Sequence, residues 1–137
     1  MNIFFTGSVR GGRANQPRFA LIVKALEKRG TVASQYVADK AMSQFGETSL
    51  SGKEIHEREI AAMRAADIVV AEVTAPSLGV GYLIAQATML GKKVIALYCG
   101  EDTEKLSGII KGDGGVEVFT YKTEEDIEAD LNKAFEE

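Results

Sequence analysis

Ala66-Asp67-Ile68-Val69-Val70-Ala71-Glu72-Val73-Thr74-Ala75-Pro76-Ser77-Leu78-Gly79-Val80-Gly81-Tyr82 is the stretch whose reading decides the fold. Its first half is a nearly continuous apolar run rich in β-branched residues, the pattern of a strand buried on both faces. Pro76 and Ser77 interrupt that run, and a helix follows that opens among glycines and closes at Gly91. The amino terminus repeats this grammar: Ile3-Phe4-Phe5 leads into Gly7-Ser8-Val9-Arg10-Gly11-Gly12-Arg13. Each Gly/Ser loop therefore sits where a strand ends and a helix begins. Free backbone N–H groups and the helix dipole make that place suited to a phosphate or a small anion.

Outward from these loops, strands and helices alternate. Strands are predicted at 2–6, 31–37, 67–73, 93–98 and 115–121, and helices at 15–29, 52–66, 78–91, 103–111 and 124–136. Phe19, Ile22, Val23 and Leu26 recur at helical spacing, and Gly30 stops that helix. Thr103 and Thr123 are expected helix N-caps, with Glu125 and Asp126 in the first turn after Thr123. Residues 38–51 read as a polar excursion with one short helix. Alternation of this kind implies a parallel sheet covered on both faces. The expected fold is α/β, a three-layer doubly wound sandwich with a five-stranded parallel sheet, flavodoxin- or Rossmann-like, in one domain spanning 1–137. Ligands in such folds bind at the carboxyl ends of the strands, near the reversal in strand order.

Composition narrows the function classes. The chain has 137 residues, 45% hydrophobic and 26% charged, with a formal charge of −4. That balance argues against general nucleic-acid or membrane-surface binding. Arg10, Arg13 and Arg18 nevertheless cluster near the first loop, which suits one small anionic ligand. Cys99 is the only cysteine and His56 the only histidine, so a disulfide framework, a metal site and a Ser-His-Asp triad are not expected. No cofactor is implied. Met1-Asn2 leads directly into a strand, and no apolar run approaches the roughly 20 residues of a membrane span. A soluble cytoplasmic protein is the expectation.

Several residues could carry chemistry. In the first loop, Gly7, Gly11 and Gly12 allow close backbone approach and positive φ, Ser8 offers a hydroxyl, and Arg10 and Arg13 offer charge. The loop lacks the Gly-Lys-Ser/Thr of a Walker motif. In the second loop, Gly79 and Gly81 serve either a ligand or close helix–strand packing. Ile55, Glu59 and Met63 are four apart, which places Glu59 in an apolar stripe. A carboxylate there is either functional or paired with a cation such as Arg58 or Arg10. Glu72 faces the cleft or pairs with a neighbouring cation, and His56 is expected to make a structural hydrogen bond.

The first-loop sequence, then Ile55-His56-Glu57-Arg58-Glu59, then Ala66 to Tyr82 together resemble the 2'-deoxynucleoside 5'-phosphate N-hydrolases, within the nucleoside 2-deoxyribosyltransferase family. The resemblance runs over nearly the whole chain. It implies a homodimer that cleaves the N-glycosidic bond of a nucleoside 5'-monophosphate. By the same resemblance Gly7, Ser8, Val9, Arg10 and Gly11 hold the 5'-phosphate, together with Ser77 and the neighbouring Gly79 and Gly81. Ser107 would reach the phosphate of the neighbouring subunit, and Glu59 would be a site carboxylate.

Two departures stand out. The family motif continues Gly-Tyr-Glu, and that Glu attacks the anomeric carbon. This chain reads Gly81-Tyr82-Leu83, with no Asp or Glu between Val73 and Gly100 to substitute. The first-strand aromatic is often Tyr in the family and is Phe4 here. Leu83 is expected to face the cleft between the two loops. A missing nucleophile removes transition-state stabilisation, whereas phosphate contacts can persist without turnover. Two readings follow: a nucleotide N-glycosidase of altered mechanism, or a nucleotide- or sugar-phosphate-binding protein without turnover.

Overall fold

The computed structural model describes residues 1–8, 16–33 and 49–136. Five strands are described: β1 (Asn2–Gly7), β2 (Thr31–Ala33), β3 (Ile68–Glu72), β4 (Lys93–Cys99) and β5 (Val116–Tyr121). They form one sheet of order β2-β1-β3-β4-β5, parallel throughout. The helices are α1 (Gln16–Glu27), α2 (Gly52–Ala65), α3 (Leu78–Met89), α4 (Gly108–Gly112) and α5 (Glu124–Phe135). The expected doubly wound α/β architecture is what forms. Strand order reverses between β1 and β3, whose last residues, Gly7 and Glu72, are register partners. Both Gly/Ser loops leave the sheet from these two strands.

Period-2 alternation sends successive strand residues to opposite faces. On one face Ile3, Phe5, Ile68, Val70, Ile95 and Leu97 pack with residues of α1 and α5. Phe19 of α1 meets Phe5 edge-on, with ring centroids 5.9 Å apart. On the other face Phe4, Val69, Ala71, Val94 and Ala96 pack with Met63 of α2 and with Val80, Ile84 and Ala87 of α3. Burying one such side chain contributes about 1.5–3 kcal/mol, so each face is held by several.

Helix ends follow their local sequence. Ser51 and Thr123 each form a capping box, with Glu54 and Asp126 respectively. Gly91 takes φ +72, and the bonds from Gly91 N to Thr88 O and from Lys92 N to Ala87 O close α3 as a Schellman motif.

One expectation needs correction, and another falls partly outside the described residues. The helix predicted at 103–111 is only Gly108–Gly112. Asp102 Oδ1 accepts from Glu104 N, and Leu106 N donates to Thr103 O, so local turns take the backbone groups a helix would need. Thr103 therefore caps no helix, and Ser107 occupies the N-cap position instead. The strand predicted at 31–37 is described only as Thr31–Ala33; its remainder, and most of the 38–51 excursion, lie outside the described residues.

Candidate functional site

The carboxyl end of β3 opens into a cleft of about 640 Å³. It is walled by the 73–78 connection, by Val80 and Gly81 of α3, and by Lys105–Ser107 with Ile109 and Ile110. Ser77 is the N-cap of α3, in extended backbone, and its Oγ accepts from Val80 N at 3.2 Å. No acidic residue occupies the first turn of α3, so the helix itself places no carboxylate against the positive end of its dipole. Ser107 is exposed, and its hydroxyl makes no capping bond. The fold thus brings Ser77 and Ser107 into one cleft within a single chain, although 30 positions separate them in sequence.

Packing does not account for the glycines of the second loop. A Cβ at Gly81 would meet nothing within 4 Å, and one at Gly79 only Ser77 Oγ at 3.9 Å. Neither has positive φ. Gly81 lines the cleft, whereas Gly79 is exposed beside it. Gly7 is different: a Cβ there would lie 2.8 Å from the Phe19 ring. Its glycine is set by close approach of α1, and the positive φ considered for it does not occur. Ser8, the residue after β1, is 2% exposed. Val9, Arg10 and Gly11, together with Gly12 and Arg13, lie outside the described residues.

Lys105 was not singled out from the sequence. It is the one charged side chain among the described residues lining the cleft, two positions before Ser107. Its signal was weak, because an isolated lysine in a polar turn ordinarily reads as solvated surface.

Phe4 and Leu83 do not line this cleft. Phe4 is fully buried between the sheet and α2/α3, and Leu83 is half-buried against the same apolar cluster. The reason lies in helical geometry. Val80, Ile84 and Ala87 define the buried face of α3, and Leu83 is three residues after Val80 and four before Ala87. Leucine extends that face while keeping part of its surface open, and the cleft between the two loops, where Leu83 is expected, involves first-loop residues outside the described ones.

Glu59 does lie in the stripe between half-buried Ile55 and buried Met63, with its side chain 13% exposed. Its Oε1 is 3.7 Å from Arg58 Nη2, so the pairing alternative is realised at least in that contact. His56 meets Tyr82, with Nε2 and the phenolic oxygen 3.2 Å apart and the rings edge-on. Glu72 is 1% exposed and turns away from the cleft to Arg18, Thr74 and Tyr121. Burial, followed by the charge of Glu72, pushes the Tyr121 phenol far above its ordinary range, which keeps it a hydrogen-bond donor. Cys99 ends β4 half-buried. No helix among the described residues is long and apolar enough to cross a membrane.

Comparison with known proteins bears on this geometry. Residues 3–129 match the sequence profile of the nucleoside 2-deoxyribosyltransferase family. The chain is 42% identical to the 5-hydroxymethyl-dUMP N-hydrolase of Mus musculus, over 98% of this chain and 80% of the relative. It is 37% identical to the protein of the same name from Danio rerio, over 99% of this chain and 96% of the relative. Among solved structures, a CMP N-glycosidase from Clostridium botulinum superposes with a TM-score of 0.67 at 21% identity, covering 97% of this chain and 98% of the other.

Proposed function

The chain belongs to the nucleoside 2-deoxyribosyltransferase family, and on that premise we propose that it binds a nucleoside 5'-monophosphate and hydrolyses its N-glycosidic bond. The carrying observation is the cleft in which Ser77, at the N-terminus of α3, and Ser107 are gathered with Lys105. The Ser77 hydroxyl, a helix N-terminus and a cation suit a phosphate dianion, and in this reading Ser107 at the open rim of the cleft serves the phosphate of a neighbouring subunit. Ser8, Val9, Arg10 and Gly11, with Gly7 behind them, complete the phosphate cradle in this reading, and Gly79 and Gly81 leave room for the ligand beside Ser77.

The proposed reaction is direct attack by water on the anomeric carbon. The C–O bond forms as the C–N bond breaks, and the electron pair of that bond leaves with the base, which takes up a proton. Glu59 accepts the proton of the attacking water or stabilises the oxocarbenium-like centre, since Leu83 can do neither. The products are free base and (deoxy)ribose 5-phosphate.

The protein acts as a homodimer in this reading, with Ser107 reaching the neighbouring subunit's phosphate. Support comes from Leu78 and Ile109, which border the cleft with 96% and 87% of their surface exposed. A sedimentation experiment giving a monomer at high concentration would remove that part.

A second reading, binding without turnover, is favoured by one observation. Phe4 and Leu83, the two positions where the resemblance expects polar groups, both contribute to one apolar cluster. Chromatography of the protein incubated with a panel of nucleoside 5'-monophosphates separates the readings. Free base that disappears in Glu59→Gln supports hydrolysis. Tight binding with every ligand recovered intact supports the second reading.

A further inference from the structure

Glu72 is the last residue of β3 and is buried to 1% exposure. Across the ladder its register partner is Gly7, the last residue of β1. It therefore stands at one of the two points where the chain leaves the sheet toward the Gly/Ser loops, directly beside the other. Its oxygens serve different parts of the molecule. Oε1 accepts from Thr74 N at 2.7 Å, inside the connection that ends at Ser77. Oε2 accepts from the Tyr121 hydroxyl of β5 and lies 3.5 Å from Arg18 Nε of α1.

The connection is pinned a second time. Thr74 Oγ1 accepts from Cys99 N at 2.9 Å, and Val73 N donates to Leu97 O at 2.9 Å. One carboxylate thus joins β5, α1 and the strand-to-helix connection. A buried carboxylate is a poor device for stability alone, because its desolvation cancels much of what its partners return. An apolar residue would fill the same volume at lower cost. What the carboxylate adds is direction: each partner is held at one angle and one distance.

We propose that Glu72 is a positioning residue: through Thr74 it sets the backbone path that presents Ser77, and through Arg18 and Tyr121 it fixes that path to α1 and β5, so the anion-binding end of the cleft is formed before ligand arrives. This rests on the nucleotide-binding reading above. Glu72 touches no ligand in this arrangement; it acts through Thr74 and Ser77. Preorganised donors need no ordering when they bind, so loss of the lock appears as weaker binding of the phosphate rather than of the rest of the nucleotide.

The test uses the full chain and two conservative variants, Tyr121→Phe and Thr74→Val, each checked for native circular dichroism, alongside Glu72→Gln. Calorimetry measures affinity for a deoxynucleoside 5'-monophosphate that the parent binds and for the matching deoxynucleoside. The expected result is a loss of about fivefold or more for the monophosphate, as one hydrogen bond's contribution implies, with the deoxynucleoside changed by less than about twofold. Glu72→Gln keeps an acceptor for Thr74 N but loses the charge facing Arg18, and is expected to show the same selectivity. Folded variants that bind the monophosphate like the parent overturn the proposal. Equal losses for both ligands also overturn it, since they indicate general loosening. A parent that binds no monophosphate overturns the nucleotide reading itself, and this inference with it.

Discussion

Two ends of one sheet-and-helix arrangement differ in chemistry although α3 contributes to both. At the amino terminus of α3, Ser77, Gly81, Lys105 and Ser107 surround a cleft with hydroxyls, a cation and the positive end of a helix dipole. One turn further along the same helix, Leu83 packs toward the cluster that holds Phe4, Met63 and Ala71. Under the proposed function, the difference teaches which part of a site can be lost while another persists. The groups proposed to bind the anion are backbone N–H groups and hydroxyls at a helix start, which the fold itself supplies. A catalytic carboxylate of the kind the resemblance implies at position 83 would be a single side chain on an apolar helix face, which one substitution is enough to remove. Binding groups of the first kind stabilise substrate and transition state alike, whereas groups of the second kind stabilise the transition state alone.

The largest effect that sharpens this contrast is expected from Leu83→Glu. If the cleft still holds a nucleotide with its anomeric carbon toward α3, the new carboxylate raises release of free base by about 10²–10⁴-fold, the usual contribution of a positioned catalytic group. Chromatographic assay of base from the same panel of monophosphates measures it. Unchanged release by a folded variant would break the comparison, because the two ends would then differ by more than one residue.

Phe4→Tyr probes the apolar end from beneath. Phe4 is fully buried between β2 and β3 on the α2/α3 face, and among the described residues its cluster is apolar. An added hydroxyl without a partner there is expected to cost about 1–3 kcal/mol, read as a lower denaturant midpoint at constant slope. A variant as stable as the parent would mean that position 4 opens toward solvent or ligand, and that the apolar end is less closed than its packing indicates.

The fold was legible because its signals are local and repeated. Ile68-Val69-Val70-Ala71 is apolar on both faces because its strand is covered on both faces, and Gly91 ends α3 because its φ of +72 suits glycine. Thr123 and Asp126 state a capping box in four letters. The segment before α4 was misread because Asp102 and Thr103 bond their own neighbours, a competition that helical spacing does not register. At the candidate site, the resemblance pointed to Ser77 and Ser107, which the fold gathers into one cleft, but nothing in the sequence indicated that Leu83 packs against the apolar cluster. Whether a residue one step round a helix faces a cleft or a core depends on where α2 and the sheet lie, and no neighbour in sequence carries that. Glu72 illustrates the opposite case: burial of a carboxylate at a strand end was readable, whereas Arg18 and Tyr121 reach it from 54 and 49 positions away.

The smallest expected effect separates the two serines that share the cleft. Ser77 Oγ caps α3 through Val80 N, whereas Ser107 Oγ makes no capping bond. Ser77→Ala is therefore expected to lose about 1 kcal/mol of stability as well as monophosphate affinity. Ser107→Ala is expected to stay within about 0.5 kcal/mol of the parent while losing comparable affinity. Chemical denaturation and calorimetry on the same two variants read both quantities. A Ser107→Ala variant that is destabilised like Ser77→Ala would assign Ser107 to the scaffold of α4. If it keeps full affinity at normal stability, the anion-binding end reduces to Ser77, the α3 terminus and Lys105. The asymmetry matters because a hydroxyl already donated to by Val80 N keeps its own proton for a ligand: Ser77 can accept from the helix and donate to phosphate at once, and so can bind without leaving its cap.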